Sequence, residues 1–377
     1  MSAPVSDDAL IAAIKAHGSQ RKAADALGLN RRTVERRAAS LALKGYSPAH
    51  DMTHPVPDGF KVRGVSTLYR EDGTVAAQWV KSTSDAERQR AMLAEAVAAF
   101  CEDLPKLPRR KAEGKHLNHL HTVYPMGDPH IGLNTWAEEC GQPWDLAIAE
   151  RVHCGAMAEL VAGAPATEGA TIIDLGDLLH YDSIAAVTPR GGNNLDVDGR
   201  YAKVIRVGIK VMRQCIESAL TKHKSVHVIC IAGNHDETGG LWMSAALSHI
   251  YDREPRVTVD TQPSLFAYFE FGRNLIGVHH GHTCKMKDLP AVMAADRSEA
   301  WGRSTHRYWM TGHIHHQNVL ELPGCVVESF NTLAPNDAYA TSGGWRSREN
   351  MKAIVLHQQF GEVARYTVNP AMLQGAA

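Results

Sequence analysis

The sequence predicts an α/β protein preceded by a small helical domain. From about residue 116 onward, short apolar runs with strand-like composition alternate with longer segments of helical periodicity. Polar clusters follow directly after several of these apolar runs, which is where open α/β sheets place their sites. The first 45 residues show helical periodicity without a strand-like run. We therefore expect two parts with different architectures.

The N-terminal segment predicts three short helices between residues 7 and 45. Ser19 is placed to cap a second helix over residues 20–27, because its hydroxyl can accept a bond from a free main-chain N–H in the first turn. Gly28 makes the next turn, and Asn30 caps a third helix over residues 31–43.

The region that follows, residues 46–115, predicts four short segments of different structure. Residues 46–58 hold three prolines and predict a linker, and residues 60–80 predict a β-hairpin with its turn at 71–73. Residues 84–101 are rich in alanine and predict a helix, and residues 106–115 form a basic connector. We therefore expect a helical module at 1–45, a linker region at 46–115 and an α/β domain at 116–377.

Within the α/β domain, strand-like and helix-like segments alternate along the chain. Strands are predicted at 119–126, 170–175, 226–232, 266–271, 274–280, 307–311, 325–330 and 352–358. Helices are predicted at 143–163, 198–222, 240–251 and 288–300.

Composition narrows the class of protein. The 377 residues carry a formal net charge of −1, so attraction to nucleic acid requires a local basic patch. The seven cysteines show no C-x-x-C spacing, which indicates reduced thiols. The first residues lack a basic n-region, and no apolar run reaches the roughly 18 residues of a membrane span. We expect a soluble, cytoplasmic protein.

Five polar segments carry the chemistry of the α/β domain, and each follows a predicted strand. They are G-D-P-H at 127–130, G-D-L-L-H at 176–180, G-N-H-D at 233–236, H-H-G-H at 279–282 and G-H-I-H-H at 312–316. Their carboxylates, amide and imidazoles are the mixed oxygen and nitrogen ligands that suit Mn, Fe, Zn or Co. Side chains two positions apart on an extended strand end project the same way, so several of these groups can reach one spot.

The five segments in this order resemble the calcineurin-like metallophosphoesterases. The resemblance covers about residues 118–368, and the pattern D-x-H, G-D, G-N-H-D, H-G-H, G-H-x-H has no ligand missing. It implies a four-layer α/β/β/α sandwich, a metal-dependent phosphoesterase activity and two divalent ions. We expect Mn²⁺, and Fe, Zn, Co or Ni also fit the ligand set.

The resemblance also implies a role for each matching residue. Asp128, His130 and His315 would bind the first ion, while Asn234, His280 and His313 would bind the second. Asp177 would bridge the two ions. His235 would not be a ligand but would act on the leaving group or the phosphate, as an acid or as an electrostatic partner, and Asp236 could orient it. Two ions of this kind clamp phosphate oxygens and lower the pKa of a bound water.

Other residues near these motifs have less definite roles. His180 is a candidate substrate contact, although a capping or packing role fits the sequence equally well. Arg190 stands in a glycine-rich loop that would hold a phosphate or form an ordinary surface turn. His279, His282 and His316 would support the orientation of the ligands. The choice of His280 as the ligand of its segment follows from the family pattern alone.

The N-terminal module resembles the helix-turn-helix of bacterial and phage DNA-binding proteins. The segment from residue 18 to residue 45 holds seven basic and two acidic residues, a local net charge of +5. The resemblance implies that the helix at 31–43 enters the major groove of DNA, with Arg31, Arg32 and Arg36 at phosphates or guanine edges. The alternative is a helical bundle whose basic face contacts proteins. The combined layout resembles phage-encoded proteins, which implies a bacterial host cell.

Three functions compete on the sequence. The first is a nuclease or phosphodiesterase that acts on DNA and is targeted by the helix-turn-helix. The second is a phosphatase or phosphodiesterase that acts on nucleotides, RNA ends or proteins. The third is a non-catalytic DNA-binding protein with a vestigial pocket, which the intact ligand set and His235 count against. We expect the first, because the basic module supplies a reason for DNA.

Overall fold

The computed structural model describes residues 5–43, 60–70, 75–84 and 115–375. The chain divides into two compact units, Met1–Asp103 and Leu104–Ala377. The predicted linker at 46–58, the hairpin turn at 71–73 and nearly all of the predicted segments at 84–101 and 106–115 lie outside the described residues. Ser84 is described, and it ends a strand rather than beginning a helix.

The first unit begins with three helices, as predicted. They are α1 (Asp7–His17), α2 (Gln20–Leu27) and α3 (Arg31–Leu43). Ser19 caps α2 by accepting a hydrogen bond from the Lys22 amide, and the Asn30 carboxamide oxygen accepts one from the Arg32 amide. Gly28 ends α2 with a φ of 64°, a conformation that glycine adopts without steric cost.

A small apolar core holds the three helices together. Leu10 from α1, Ala24 from α2 and Val34 and Leu41 from α3 are buried against one another. The same unit contains the predicted β-hairpin. Its strands are β1 (Phe60–Tyr69) and β2 (Val75–Ser84), which pair in antiparallel fashion.

The second unit contains two β-sheets and seven α-helices among its described residues. The strands are β3 (Leu117–Met126), β4 (Thr167–Asp174), β5 (Ser225–Cys230), β6 (Val257–Val259), β7 (Ala267–Phe271), β8 (Asn274–Val278), β9 (His306–Thr311), β10 (Asn318–Leu322), β11 (Cys325–Ser329), β12 (Met351–His357) and β13 (Gly361–Val368). The helices are α4 (Ala137–Cys140), α5 (Leu146–Gly163), α6 (Tyr201–Leu220), α7 (Gly239–Ile250), α8 (Leu289–Asp296), α9 (Ser298–Arg303) and α10 (Ala338–Ser342). Short 3₁₀ helices lie at Met286–Asp288 and Pro370–Gly375.

One sheet has six strands in the order β13-β12-β3-β4-β5-β6, and the other has five in the order β10-β11-β9-β8-β7. The strands β3 to β6 run parallel to one another, as do β8, β9 and β11. The outer strands β13, β12, β7 and β10 pair in antiparallel fashion. Neighbouring parallel strands have their carboxyl ends at the same edge of the sheet. The polar segments begin at this edge, directly after the strands.

The two sheets face each other across an apolar core. Val123 and Ile173 from the six-stranded sheet and Ile276 and Met310 from the five-stranded sheet belong to one buried cluster. On the other face of the five-stranded sheet, α8 and α9 cover Leu275, Trp309 and Val327. Helices α5 and α6 contact strands of the six-stranded sheet. Because both faces of the sheets are covered there, the carboxyl halves of β3 and β4 and the whole of β8 are buried.

All eight predicted strands of this unit are confirmed, but three further strands were missed. β6 has only three residues, and β10 and β13 lie at sheet edges, where polar residues alternate with apolar ones. The predicted helix at 288–300 is two helices, because the chain leaves the helical conformation at Arg297, where φ is −129°. No helix in the described part of the chain is long and apolar enough to cross a membrane.

Candidate metal centre

The five polar segments follow five different strand ends. G-D-P-H follows β3, G-D-L-L-H follows β4, G-N-H-D follows β5, H-H-G-H follows β8 and G-H-I-H-H follows β9. The first three segments therefore come from the six-stranded sheet and the last two from the five-stranded sheet. Because the two sheets face each other, their carboxyl ends bring residues distant in sequence into contact.

The backbone at this site is strained. Five described residues other than glycine have a positive φ: Asp128 (44°), His130 (44°), Asp177 (54°), His313 (72°) and His315 (56°). This conformation is uncommon for residues with a side chain and costs of order 1–3 kcal/mol when imposed by the surroundings. All five are residues that the sequence pattern assigns to metal binding, so the strain is confined to the site.

Asp128, His130 and His315 form one group whose ligand atoms all lie within 4.8 Å of one another. The Nε2 atoms of His130 and His315 are 3.0 Å apart, and His315 Nε2 is 3.4 Å from Asp128 Oδ1. The carboxylate of Asp128 also accepts hydrogen bonds from the His313 amide, at 2.9 Å to each oxygen. These three side chains can hold a divalent cation between two nitrogens and one oxygen.

Asp177, His280 and His313 form a second group of the same kind. His280 Nε2 lies 3.2 Å from Asp177 Oδ2 and 3.0 Å from Asn234 Oδ1, so the predicted amide ligand joins this group. His280 Nε2 is also 4.0 Å from Asp128 Oδ1 in the first group. The two groups are therefore adjacent, and the structure brings all seven predicted metal ligands together.

The buried donor atoms fit a cation. His313 Nδ1 is buried and has no hydrogen-bond partner among the described residues, an arrangement that normally carries a free-energy cost. The opposite nitrogen of His280 is fixed, since Nδ1 lies 2.8 Å from the Leu175 carbonyl oxygen and Nε2 faces the site. Such a bond from the second ring nitrogen is how metal-binding histidines are usually oriented.

Burial keeps several of the imidazoles neutral. It lowers the pKa of His130 and His313, and neighbouring histidines lower both further. Burial, together with His235, lowers the pKa of His180 to about 3. Burial also acts against protonation of His280, but the Asp177 carboxylate outweighs it and raises the pKa to about 10. Asp128 raises the pKa of His315 in the same way, against burial. The neutral rings of His130 and His313 offer the lone pair that a cation needs, whereas His280 and His315 would each release a proton when a cation binds.

The structure places His235 and Asp236 differently from the sequence expectation. His235 is half-buried beside His130, with ring centroids 4.8 Å apart, and its Nδ1 lies 2.9 Å from the His180 carbonyl oxygen. The His180 main chain therefore orients this ring, and Asp236 was the wrong partner. The Asp236 carboxylate instead accepts hydrogen bonds from three amides, those of Asp177, Leu179 and Gly233. It ties the second and third motifs together from beneath the site.

His180 is part of the centre rather than a peripheral contact. It is buried, its ring stacks on that of His235 at 5.3 Å, and its Nδ1 is 3.2 Å from Nδ1 of His130. These three histidines form a third group that could hold a cation. Arg190, by contrast, makes an exposed ion pair with Glu237.

The remaining histidines of the motifs differ in their contacts and in their exposure to solvent. His279 is occupied elsewhere, since Nε2 lies 3.0 Å from the Thr283 hydroxyl and Nδ1 accepts a bond from the Gly281 amide. His282 is half-buried, with its ring centroid 5.2 Å from that of His280. His316 is exposed. Of the three histidines in the H-H-G-H segment, His280 alone lies within hydrogen-bonding distance of both Asp177 and Asn234.

Sequence reasoning missed two residues that support the site. The Thr332 hydroxyl donates a hydrogen bond of 2.6 Å to the Asp128 carbonyl, which helps to hold that residue at its positive φ. The Asp182 carboxylate accepts bonds from the amide and the hydroxyl of Thr238, and so links the second motif to the start of α7. Neither residue lies in a recognisable motif, and no signal in the sequence marked them.

The predicted DNA-binding residues lie on α3 in the first unit. Arg32 and Arg36 are exposed. The Arg31 guanidinium is also exposed and pairs with Glu35 one turn later, with Nε 2.7 Å from Oε1. Such an exposed pair contributes little to stability, so it can exchange for a phosphate contact at small cost.

Comparisons with known proteins give a limited result. No protein-family model matches the sequence, and no curated protein matches it. Among solved structures, the chain is similar to a predicted phosphoesterase from Streptococcus pneumoniae, with 9% identity, 66% of this chain and 98% of that chain covered, and a TM-score of 0.28. It is also similar to zinc-bound Vps29 from Entamoeba histolytica (12%, 66% and 99%, TM-score 0.26) and to PhoD (9%, 70% and 72%, TM-score 0.30). TM-scores below 0.5 do not establish a shared fold, so the function must be argued from the site.

Proposed function

We propose that the chain is a binuclear metal-dependent phosphodiester hydrolase of the calcineurin-like type, acting on DNA. In this proposal residues 116–377 form the four-layer α/β/β/α catalytic domain, residues 1–45 form a helix-turn-helix that binds DNA, and residues 46–115 link them. The protein would work in the cytoplasm of a bacterial or phage-infected cell, with Mn²⁺ as the expected metal.

One observation carries the proposal: the residues with a strained backbone are also residues whose side chains form the two ligand groups. Five backbone positions with positive φ, drawn from three strand ends, aim carboxylates and imidazoles at two adjacent groups. A fold retains such strain where the surroundings hold it in place, and this happens most often at functional sites. Packing alone gives no reason to gather five strained residues around two such groups and to leave His313 Nδ1 without a hydrogen-bond partner among the described residues.

The residues divide into two sets of ligands. Asp128, His130 and His315 would hold one ion, and Asn234, His280 and His313 would hold the other. Asp177 lies between the sets, since its Oδ2 faces His280 while its charge also acts on His130. When bound, the ions would supply Lewis acidity to the phosphate and to the attacking water.

His235 is the residue placed to transfer a proton. Its Nδ1 is held by the His180 carbonyl, so that nitrogen carries the hydrogen in the neutral ring. The opposite nitrogen, Nε2, carries a second hydrogen when the ring is an imidazolium, and this is the hydrogen that would pass to the leaving oxygen of a phosphate ester. The stacked ring of His180 restricts the rotation of His235, so the proton is delivered at a fixed position.

DNA is favoured as the substrate by the first unit. Arg32 and Arg36 present two cations on the exposed face of α3, and the segment around them has a net charge of +5. Contacts between arginines and phosphates or guanine edges are the commonest way in which such a helix binds DNA.

One set of assays tests the activity and its substrate. The purified protein would be incubated with Mn²⁺ and, in parallel, with single- and double-stranded DNA, RNA, bis-p-nitrophenyl phosphate and p-nitrophenyl phosphate. We expect cleavage of DNA and of the diester, a loss of roughly 10²–10⁴-fold in His235→Ala, and little change in His316→Ala, a matched exposed histidine.

The other outcomes are equally informative. Turnover of the monoester with inert DNA would indicate a phosphatase and overturn the DNA substrate. Absence of turnover with every divalent metal, together with tight binding of duplex DNA, would overturn catalysis and leave a DNA-binding protein.

A further inference from the structure

The β-hairpin of the first unit has two unlike faces. Val65 pairs with Val80, and Thr67 pairs with Gln78, on a face that is half-buried. The Gln78 amide donates a hydrogen bond of 2.9 Å to the Thr67 hydroxyl on that face. The opposite face holds the pairs Ser66–Trp79 and Leu68–Ala77. Trp79 is 58% exposed and Leu68 is 56% exposed, so this second face lies open to solvent.

Three cations stand at the open end of the hairpin, away from its turn. Lys61, Arg63 and Lys81 are all exposed. Lys81 pairs with Gly64 and lies on the same face as Trp79, two residues away. Arg63 lies at a break in the register between Val62 and Gly64, and such a bulge redirects the side chain it carries.

The charged side chains in the described part of the hairpin are all positive. Its described residues include no aspartate or glutamate, and the whole segment 60–84 holds four basic residues and two acidic ones, Glu71 and Asp72 in the turn sequence. None of Lys61, Arg63 and Lys81 forms an ion pair with another residue that the structure describes. Their charges are therefore available to an anionic partner.

We propose that this face of the hairpin is a second DNA-binding surface, which contacts the phosphates of duplex DNA through Lys61, Arg63 and Lys81 and packs Trp79 against the groove. The inference rests on the DNA-directed function proposed above and supplies a partner for an element to which the sequence assigned none.

The dimensions and chemistry of the hairpin agree with this partner. A two-stranded β-ribbon fits the major groove of B-form DNA, which is about 12 Å wide. Lysine and arginine supply the sequence-independent part of the affinity by displacing counterions from phosphates. An isolated hairpin is marginally stable in water, and Trp79 is 58% exposed beside these cations, so its ring is available for such a contact.

Salt dependence is the direct test. Binding of a labelled DNA duplex to the full chain would be measured by fluorescence anisotropy over a range of salt concentrations. The combined variant Lys61→Ala/Arg63→Ala/Lys81→Ala should reduce the slope of log affinity against log salt by up to about 2.7. At about 0.1 M salt the affinity should fall by roughly 8-fold for each phosphate that the variant can no longer neutralise.

The matched control removes three exposed cations from the other unit, as Lys210→Ala/Lys224→Ala/Arg253→Ala. It makes the same change in net charge and should leave the slope unchanged. An equal fall in affinity for both triple variants would assign the effect to overall charge and overturn the proposal.

Trp79 gives a second readout, because it carries no charge. Trp79→Ala should weaken duplex binding by roughly 5-fold or more without changing the salt slope, and Trp79→Phe should restore most of the affinity. If Trp79→Ala instead converted a dimer to a monomer in sedimentation, with duplex affinity unchanged, the face would bind a second copy of the chain and the proposal would fail.

Diester turnover separates this inference from the catalytic proposal. Bis-p-nitrophenyl phosphate is too small to span both the metal centre and a separate binding surface. Its hydrolysis should be unchanged in every hairpin variant. Weakened duplex binding with normal turnover supports the hairpin surface, and normal turnover with normal duplex binding contradicts it. Absent turnover in the wild-type chain contradicts the catalytic proposal alone.

Discussion

The imidazoles of His130 and His315 face each other with their Nε2 atoms 3.0 Å apart, although 185 positions separate the two residues. Two N–H groups cannot point at each other at that distance, so at least one nitrogen presents its lone pair. The Asp128 carboxylate lies 3.4 Å from His315 Nε2 and completes the group. A cation is the partner that satisfies all three groups together.

Metal binding should therefore stabilise the fold through this group. Thermal unfolding of the wild-type chain should shift upward on addition of Mn²⁺, by the equivalent of about 2.7 kcal/mol when the metal is 100-fold above its Kd. His315→Ala should lose most of that shift, while His316→Ala, whose ring is exposed, should keep it. An equal shift in both variants would contradict the assignment of His315 as a ligand.

Gly312 should tolerate no side chain. A Cβ at this position would lie 2.5 Å from Asp128 Oδ2 and 3.3 Å from its carboxylate carbon, both well inside van der Waals contact. Gly312→Ala should therefore displace the carboxylate and reduce metal affinity and turnover by tenfold or more. Gly302→Ala is the control, since a Cβ there meets nothing within 4 Å.

Calorimetric titration with Mn²⁺ would measure both glycine variants. Equal metal affinity in the two proteins would show that Asp128 can move without cost, and would contradict the close packing of the segment after β9 against the first motif.

Asp236 should be a stability residue rather than a proton carrier. Its buried carboxylate accepts bonds of 3.0–3.1 Å from the amides of Asp177, Gly233 and Leu179. Asp236→Ala leaves these donors without partners, at about 1–3 kcal/mol for each one that water cannot reach. We expect a large fall in unfolding temperature for Asp236→Ala and little change for His235→Ala.

Urea denaturation of the two variants gives the comparison as free energies of unfolding. If His235→Ala were the more destabilised, the stabilising role assigned to the Asp236 carboxylate would be wrong.

The sequence predicted most of the elements that position the site, and its failures have physical causes. The strand ends at Asp128, Asp177 and His313 were found because long apolar runs precede them and a polar cluster follows. Thr332 and Asp182 were missed because their contribution depends on contacts between distant segments, which spacing does not reveal. A single hydroxyl bond to the Asp128 carbonyl has no periodicity to detect.

The orientation of His235 shows the same limit. Asp236 is its neighbour in sequence and was the natural partner, but consecutive residues in a tight turn project in different directions. The partner that the structure provides is the carbonyl of His180, 55 positions away. The backbone strain at five ligands was also not predicted, because aspartate and histidine adopt a positive φ only occasionally and the spacing does not mark where they do so.

His223, which lies outside the five motifs, should contribute to the acid sensitivity of the second unit. His223 is fully buried, with Nε2 2.8 Å from the Tyr124 hydroxyl and Nδ1 2.7 Å from the Thr167 hydroxyl. Burial, with help from Lys222, lowers its pKa from 6.5 to about 4. The unfolded chain therefore takes up a proton on His223 at a higher pH than the folded chain does.

The pKa of His223 is lower in the folded chain than in the unfolded chain, so its contribution to the free energy of unfolding falls as the pH falls. The contribution of His223 to stability is complete above about pH 6.5 and is lost as the pH falls from there towards 4, with a slope of up to about 1.4 kcal/mol per pH unit. His223→Gln should be less stable at pH 8 but should lose less stability between pH 6.5 and 4. His249→Gln, an exposed control, should follow the wild-type profile in urea denaturation.

Seven side chains from five strand ends are proposed to hold two divalent ions. Diffraction from crystals grown with Mn²⁺, recorded at the manganese absorption edge, measures this directly. We predict two anomalous peaks bridged by Asp177, one beside Asp128, His130 and His315 and the other beside Asn234, His280 and His313. A single peak, or peaks that none of these side chains contacts, would contradict the account.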